Sequence, residues 1–284
     1  MLGAYGFLGS ILSSTLAAAG HVVLRQGRSN AAQVPCDPLD ARAFRSVLGQ
    51  HHPSTIINLI AMTDVDLCER EPVRAFEANV QVVESIVQAV GQESKVDRLH
   101  LIQISTDQVY DGPGPHHEAD TRPPNVYGVT KHEGEVVAQG IGASVLRTNF
   151  VGRSRSPNRK SLSDWIVDSL RATQPITVFA NIRFNPLHVS TLCHCIERVV
   201  SVQTPGVFNV GAINGISKAE FAQSLASQLC LDSASMQSGS YVEMPQKARR
   251  PLDMTMAVDK FQRTFGVSLP RVEGEVRLVA KEYV

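Results

Sequence analysis

Tyr127 and Lys131 stand four residues apart in the segment NVYGVTK at 125–131. On a helix that spacing puts both side chains on one face, one turn apart. An ammonium beside a phenol favours the phenolate. At about 4 Å and an effective dielectric of ~20 the pair gains at most roughly 4 kcal/mol, or ~3 pK units. A phenol with a free pKa near ~10 is thereby brought toward neutrality, as proton donation to a carbonyl oxygen requires. Upstream, Leu99, Ile102 and Ile104 form an apolar run ending in Ser105-Thr106-Asp107. This reads as a buried strand whose last hydroxyl, on Thr106, faces the Tyr–Lys pair and fixes a carbonyl oxygen by a hydrogen bond. A loop rich in Pro, Gly, His and acids joins the strand to the helix. Such a constellation suits ketone reduction, with Tyr127 giving its proton to the developing alkoxide and a hydride arriving from the opposite side.

The rest of the chain must bring that hydride. Gly3, Gly6 and Gly9 are spaced G-x-x-G-x-x-G and precede an apolar helix from Leu8 to Ala19. A glycine turn opening a helix presents backbone N–H groups to a pyrophosphate. The six-residue span resembles the fingerprint of short-chain dehydrogenases/reductases. Only Met1 and Leu2 precede Gly3 where a buried strand belongs. The expectation is therefore a natural start further upstream, with Met1 and Leu2 as the end of a strand near the sheet centre. His21–Leu24 reads as a short strand leading into Arg25-Gln26-Gly27-Arg28. An acid here would hold a ribose 2′-OH. Arg25 and Arg28 suit a 2′-phosphate instead, favouring NADPH, with NADH as the alternative. Asp37 or Asp40 caps a helix running to about Gly49, and Asp37 is placed to touch an adenine edge.

Thr55–Ala61 is continuously apolar and β-branched, as buried parallel strands are, and ends at Met62-Thr63. Asp64, Asp66, Glu69 and Glu71 follow without metal-ligand spacing and read as a solvated, acidic helix start. Pro72 opens a long helix to about Val90. Asn79 interrupts its middle, either fixing a neighbouring loop or lying at the surface. Ala143–Arg147 is another short strand. Strand and helix alternate throughout, which specifies a Rossmann-type, doubly wound parallel sheet with its first strand truncated. Past Thr148 the pattern changes. A cationic, aperiodic loop (153–160) precedes a helix at 161–171, and strands near 176–179 and 207–210 are candidates for return to the main sheet. Further helices are expected at 191–202, 218–231, 258–265 and 272–283, with 232–257 rich in loops. The boundary divides the chain into a nucleotide-binding region at 1–150 and a substrate-binding α/β region at 151–284. Cys193 and Cys195 fall on different faces of their helix and read as packing residues.

The chain has 284 residues and zero formal net charge, which argues against nucleic acid or an anionic membrane as partner. It has no apolar run of spanning length. Its five cysteines lack a framework spacing, so reduced thiols and a cytoplasmic setting are expected.

Seven segments carry a resemblance: GAYGFLG at 3–9, INLIAMTDVDLCE at 57–69, EPVRAFEANV at 71–80, ISTDQVYDG at 104–112, NVYGVTK at 125–131, VLRTNF at 145–150 and RPLDMTMAVDKFQRTFG at 250–266. Together they resemble extended short-chain dehydrogenases/reductases, and among them the dTDP-4-dehydrorhamnose reductase family. The resemblance implies that Thr106, Tyr127 and Lys131 are catalytic. It implies that Gly3, Gly6, Phe7 and Leu8 form the pyrophosphate loop, and that Asp37 contacts adenine. Leu59, Ile60, Ala61 and Met62 then line the cofactor, which Lys131 also holds by its nicotinamide ribose, and Asp107 touches the sugar. Phe150 falls where the family has a tryptophan near the sugar, 180–184 departs from an Asp-Gln pair, and Ser190-Thr191 replaces an acid. The implied activity is NADPH-dependent reduction of the 4-keto group of a deoxysugar nucleotide. Alternatives are a non-catalytic NADP-binding subunit similar to the beta subunit of methionine adenosyltransferase, and a sugar-nucleotide epimerase or dehydratase. The family often dimerises, which makes a homodimer the expected assembly.

Overall fold

The computed structural model describes residues 1–91, 99–154, 160–242 and 247–284. The first part contains α1 (Phe7–Ala18), β1 (Gln26–Gly27), β2 (Val34–Pro35), α2 (Ala41–His51), β3 (Thr55–Asn58), α3 (Val65–Arg70), α4 (Pro72–Phe76), α5 (Val82–Gly91), β4 (His100–Thr106), α6 (Val126–Gln139) and β5 (Ser144–Thr148). The second contains β6 (Phe150–Val151), α7 (Leu162–Arg171), β7 (Ile176–Phe179), β8 (Arg183–Phe184), β9 (Leu187–His188), α8 (Val189–Val202), β10 (Gly206–Val210), β11 (Ile216–Ser217), α9 (Lys218–Gln228), β12 (Met236–Gly239), α10 (Asp259–Phe265) and α11 (Val272–Lys281).

The main sheet is parallel, in the order β10-β5-β4-β3. Every residue of β4 is buried, as expected of a strand covered on both faces. One face packs on α1 and α8 through Leu12, Ile102, Leu146 and Ile196, the other on α2 and α5 through Phe44, Ile86, Leu101 and Val145. Each such aliphatic side chain contributes about 1.5–3 kcal/mol by leaving water. This is the doubly wound parallel fold that the alternating pattern specifies.

Beyond β3 the sheet continues through two residues. Leu2 donates to Ile57 O at 2.9 Å and accepts from Leu59 N at 3.2 Å, while Met1 O accepts from Gln26 N at 3.0 Å and the Met1 ammonium donates to Leu24 O at 2.8 Å. The reading of His21–Leu24 as a strand is corrected. The ladder starts at β1, which pairs with β2, and Val22 is 94% exposed. From the sheet side Met1, Gly3 and Ala4 bond to Leu24 and Gln26, and no ladder bond to residues 21–23 is found among the described residues.

Two further corrections concern the second region. β10 lies beside β5 in the main sheet, but β7 pairs with β12 in a separate two-stranded sheet, and β12 falls in a stretch read as loop. The helix opened by Pro72 also departs from regularity. Glu77–Gln81 forms a π turn between α4 and α5, with Asn79 buried inside it. Such bulges gather at functional sites because they re-aim side chains. The cationic loop read at 153–160 lies largely outside the described residues.

Candidate active site

All four strands of the main sheet end at one edge, where ligands bind in folds of this kind. There the structure opens a cleft of about 810 Å³. The glycine turn forms one wall, with Gly3, Gly6, Phe7 and Leu8 lining it, and Leu59, Ile60, Ala61 and Met62 form the floor. Thr106, Asp107, Tyr127, Lys131 and Phe150 close the far end. Residues far apart in sequence thus share one cavity, and Tyr127 and Lys131 both line it.

Local chemistry explains the helix that carries them. Asn125 caps α6 by accepting from Gly128 N at 2.8 Å and also donates to Arg249 O at 2.8 Å. A Cβ on Gly128 would stand 2.4 Å from Gln108 O, and one on Gly134 would stand 2.3 Å from Asn79 O. These two glycines let α6 press against both the turn after β4 and the π turn. Asn79 completes the joint: its amide accepts from Met62 N at 2.9 Å and donates to Thr130 Oγ1 on α6 at 3.0 Å. Asn79 therefore fixes the cleft floor to the helix of Tyr127.

Lys131 is buried and donates from Nζ to Ile104 O at 2.7 Å. Burial lowers its pKa to about 8, opposed by the charge of Glu135, so it remains mostly cationic at neutral pH. The Thr106 hydroxyl accepts from Gln108 N and donates to Asp107 Oδ1, both at 3.2 Å. Asp107 Oδ2 accepts from Asn149 Nδ2 at 2.6 Å. Burial pushes Asp107 up to about 6 against the pull of Asn149, Lys218 and Thr106. Lys218 opens α9 and lies over the Phe184 ring, 3.7 Å from its centroid; burial lowers it to about 8 while Asp107 opposes.

At the other end of the cleft, Arg28 and Asp37 line the wall. Arg25 does not: its guanidinium lies over the Tyr5 ring, 5.7 Å from the centroid. Gln26 is buried beside it, accepts from Gly3 N at 3.1 Å and donates to Cys36 O. With Gln26 turned inward to the glycine turn, Arg25 is left on the outer side. Asp40 caps α2, accepting from the N–H groups of Arg42 and Ala43, while Asp37 accepts from Leu39 N at 3.1 Å. The acids after Met62 are each engaged locally. Asp64 caps α3, Asp66 pairs with Arg250, Glu69 accepts from Val126 N and Glu71 pairs with Arg74.

The cleft fits a dinucleotide. The N-cap of α1 is Gly6, with no side-chain cap and no acid in the first turn, leaving the helix start open to an anion. Gly3 takes a positive φ of 69°, and a Cβ there would crowd Ile60 at 3.3 Å. Thr148 lines the far end, and its buried hydroxyl has no partner among the described residues, which leaves it hydrogen-bonding capacity beside the cleft.

Fold and site together define a Rossmann-type nucleotide-binding protein with a Tyr–Lys pair at the sheet edge. The chain matches the RmlD substrate binding domain family over residues 1–284, and it belongs to that family. Among its relatives, the probable low-salt glycan biosynthesis reductase Agl14 of Haloferax volcanii is 25% identical over 96% of this chain and 94% of its own. A dTDP-4-dehydrorhamnose reductase of Sinorhizobium fredii is 29% identical over 90% of this chain and 87% of its own. A dTDP-4-dehydrorhamnose reductase of Bacillus anthracis, solved in complex with NADP, superposes with a TM-score of 0.87 at 22% identity, covering 99% of this chain and 96% of that one. The resemblance carried by the seven segments agrees with these matches.

Proposed function

We propose that this protein is an NADPH-dependent reductase of the 4-keto group of a deoxysugar nucleotide, similar to dTDP-4-dehydrorhamnose reductase. The observation that carries the reading is that Thr106, Tyr127 and Lys131 line one cleft with the glycine turn. In this reading residues 1–150 bind the nucleotide and 151–284 complete the sugar site. The relatives named dTDP-4-dehydrorhamnose reductase and the NADP complex of one family member support it. The bound nicotinamide supplies the hydride. The glycine turn and the start of α1 bind the pyrophosphate, Asp37 meets the adenine edge and Arg28 the 2′-phosphate. Thr106 orients the ketone oxygen, Tyr127 protonates it, and Lys131 stabilises the phenolate and holds the nicotinamide ribose. Asp107 accepts from a sugar hydroxyl, and Phe150, 5.6 Å from Phe7 between ring centroids, walls the sugar side. Such a reaction draws on cytoplasmic pools, and no helix among the described residues is long and apolar enough to cross a membrane.

The test is NADPH oxidation on addition of dTDP-4-dehydrorhamnose. Tyr127→Phe is expected to cut turnover by roughly 10²–10⁴ with NADPH affinity retained. Full turnover by that variant contradicts the proton-donor role. NADPH binding by the wild type with no nucleotide-sugar turnover contradicts the reductase reading.

A further inference from the structure

Tyr127, Lys131 and Glu135 follow one another at intervals of four along α6, so a carboxylate stands one turn behind the ammonium. Glu135 is 0% exposed and is held on several sides. Arg147 donates to it in a fork, from Nη2 at 2.6 Å and from Nε at 3.0 and 3.1 Å, the Ser105 hydroxyl donates to it, and His132 Nδ1 lies at 3.1 Å on the solvent side. Ser105 follows Ile104, whose carbonyl receives Lys131. Two successive residues of β4 are therefore stitched to two successive turns of α6, immediately before Thr106. Arg147 stands opposite Ser105 in the β4–β5 register, which brings the third element into the same joint.

Two cations share this acid. Arg147 has only neutral further partners among the described residues, Tyr110 Oη at 2.8 Å and Glu118 O at 2.7 Å. The ionisable groups facing the cluster are Lys131, Arg147, half-buried His132 and Tyr110, the last pushed up to about 12 by burial and so neutral. Arg147, His132 and Ser105 hold Glu135 below the usual carboxylate range despite its burial.

We propose that Glu135 is a positioning residue for the reaction: clamped by Ser105 and Arg147, its carboxylate is the counter-charge that keeps buried Lys131 a cation and fixes α6 against the end of β4. This rests on the reductase reading for the role of Lys131. Without the carboxylate, a buried ammonium with a carbonyl for a partner sheds its proton. The test is an NMR titration of the Lys131 13Cε and 15Nζ resonances in ligand-free protein, assigned by their loss in Lys131→Met. The midpoint near 8 is expected to fall by about 1 unit or more in Glu135→Gln and to recover most of that shift in Glu135→Asp. In the reductase assay the alkaline limb of the kcat/KM profile should move by the same amount. If Glu135→Gln does not fold because Arg147 is left alone, Glu135→Gln/Arg147→Met removes both charges; loss of the Arg147 cation offsets part of the change, so the midpoint is expected to fall in the same direction by less. An unchanged Lys131 midpoint in a folded variant overturns the proposal. The titration uses no ligand, so a failed ketone assay would sink the reductase reading without altering this result.

Discussion

Two acid–base pairs flank the site and differ in one respect. Glu135 and Arg147, behind the Tyr127 end of α6, meet at 2.6 Å, and Ser105 adds a further hydrogen bond to the carboxylate. Asp107, at the far end of the cleft, and Lys218 affect each other's charge, yet no ion pair or hydrogen bond joins them among the described residues. Asp107 lines the cleft, and its neighbour Thr148 carries an unpartnered hydroxyl there. The saturated pair is framework: it holds three elements at fixed spacing. The open pair keeps hydrogen-bonding capacity for something outside the protein. Buried polar groups are ordinarily satisfied, so unused capacity at a cleft marks where a ligand's polar groups belong.

The contrast can be broken by substitution. Arg147→Met leaves a buried carboxylate unpaired and should cost about 3–5 kcal/mol in urea unfolding; a loss under 1 kcal/mol would make the cluster dispensable. Lys218→Met should do the opposite, leaving the unfolding midpoint nearly unchanged. It should raise KM for the sugar nucleotide, because Asp107 in the cleft loses the cation that helps keep it a carboxylate. An unchanged KM would show that Lys218 does not act on the cleft through Asp107. Gly134→Ala drives a methyl into the Asn79 carbonyl, and overpacking of that kind should cost about 1–3 kcal/mol. It should also lower kcat, because the π turn and α6 separate where Asn79 joins them. The pH profile sharpens the comparison further. Asp107 is a carboxylate only above about 6 and Lys131 a cation only below about 8, so kcat/KM should fall on both sides of that window. Asp107→Asn should remove the acid limb and leave the alkaline one.

Much of this was legible before the fold was seen, because it is written in short-range patterns. The i, i+4 spacing of Tyr127 and Lys131, the glycine turn and the apolar runs of β3 and β4 are local signals, and the structure brings them to one cleft. Glu135 continues that same spacing by one more turn, a signal that the reading of the sequence left unused. Asn79 lay between two readings, since only its contacts with Met62 and Thr130, remote in sequence, decide between loop anchor and surface. Lys218 and Arg147 were not singled out: each acts through a partner on another element, although Arg147 lies within VLRTNF at 145–150. β12 was hidden for a similar reason, since a short polar strand with Ser and Gly exists only through pairing with β7. Arg25 shows the limit of composition: it is absent from the cleft lining, and its guanidinium lies over the ring of Tyr5, which does line the cleft.

The central claim is that this cleft passes a hydride to a sugar ketone while Tyr127 supplies the proton. It is tested most directly with NADPH deuterated at the nicotinamide C4 and dTDP-4-dehydrorhamnose, reading the product by mass spectrometry. The account predicts one deuterium on the sugar C4 with the wild type and almost none with Tyr127→Phe over the same interval. Unlabelled product, or equal labelling by the two proteins, would contradict it.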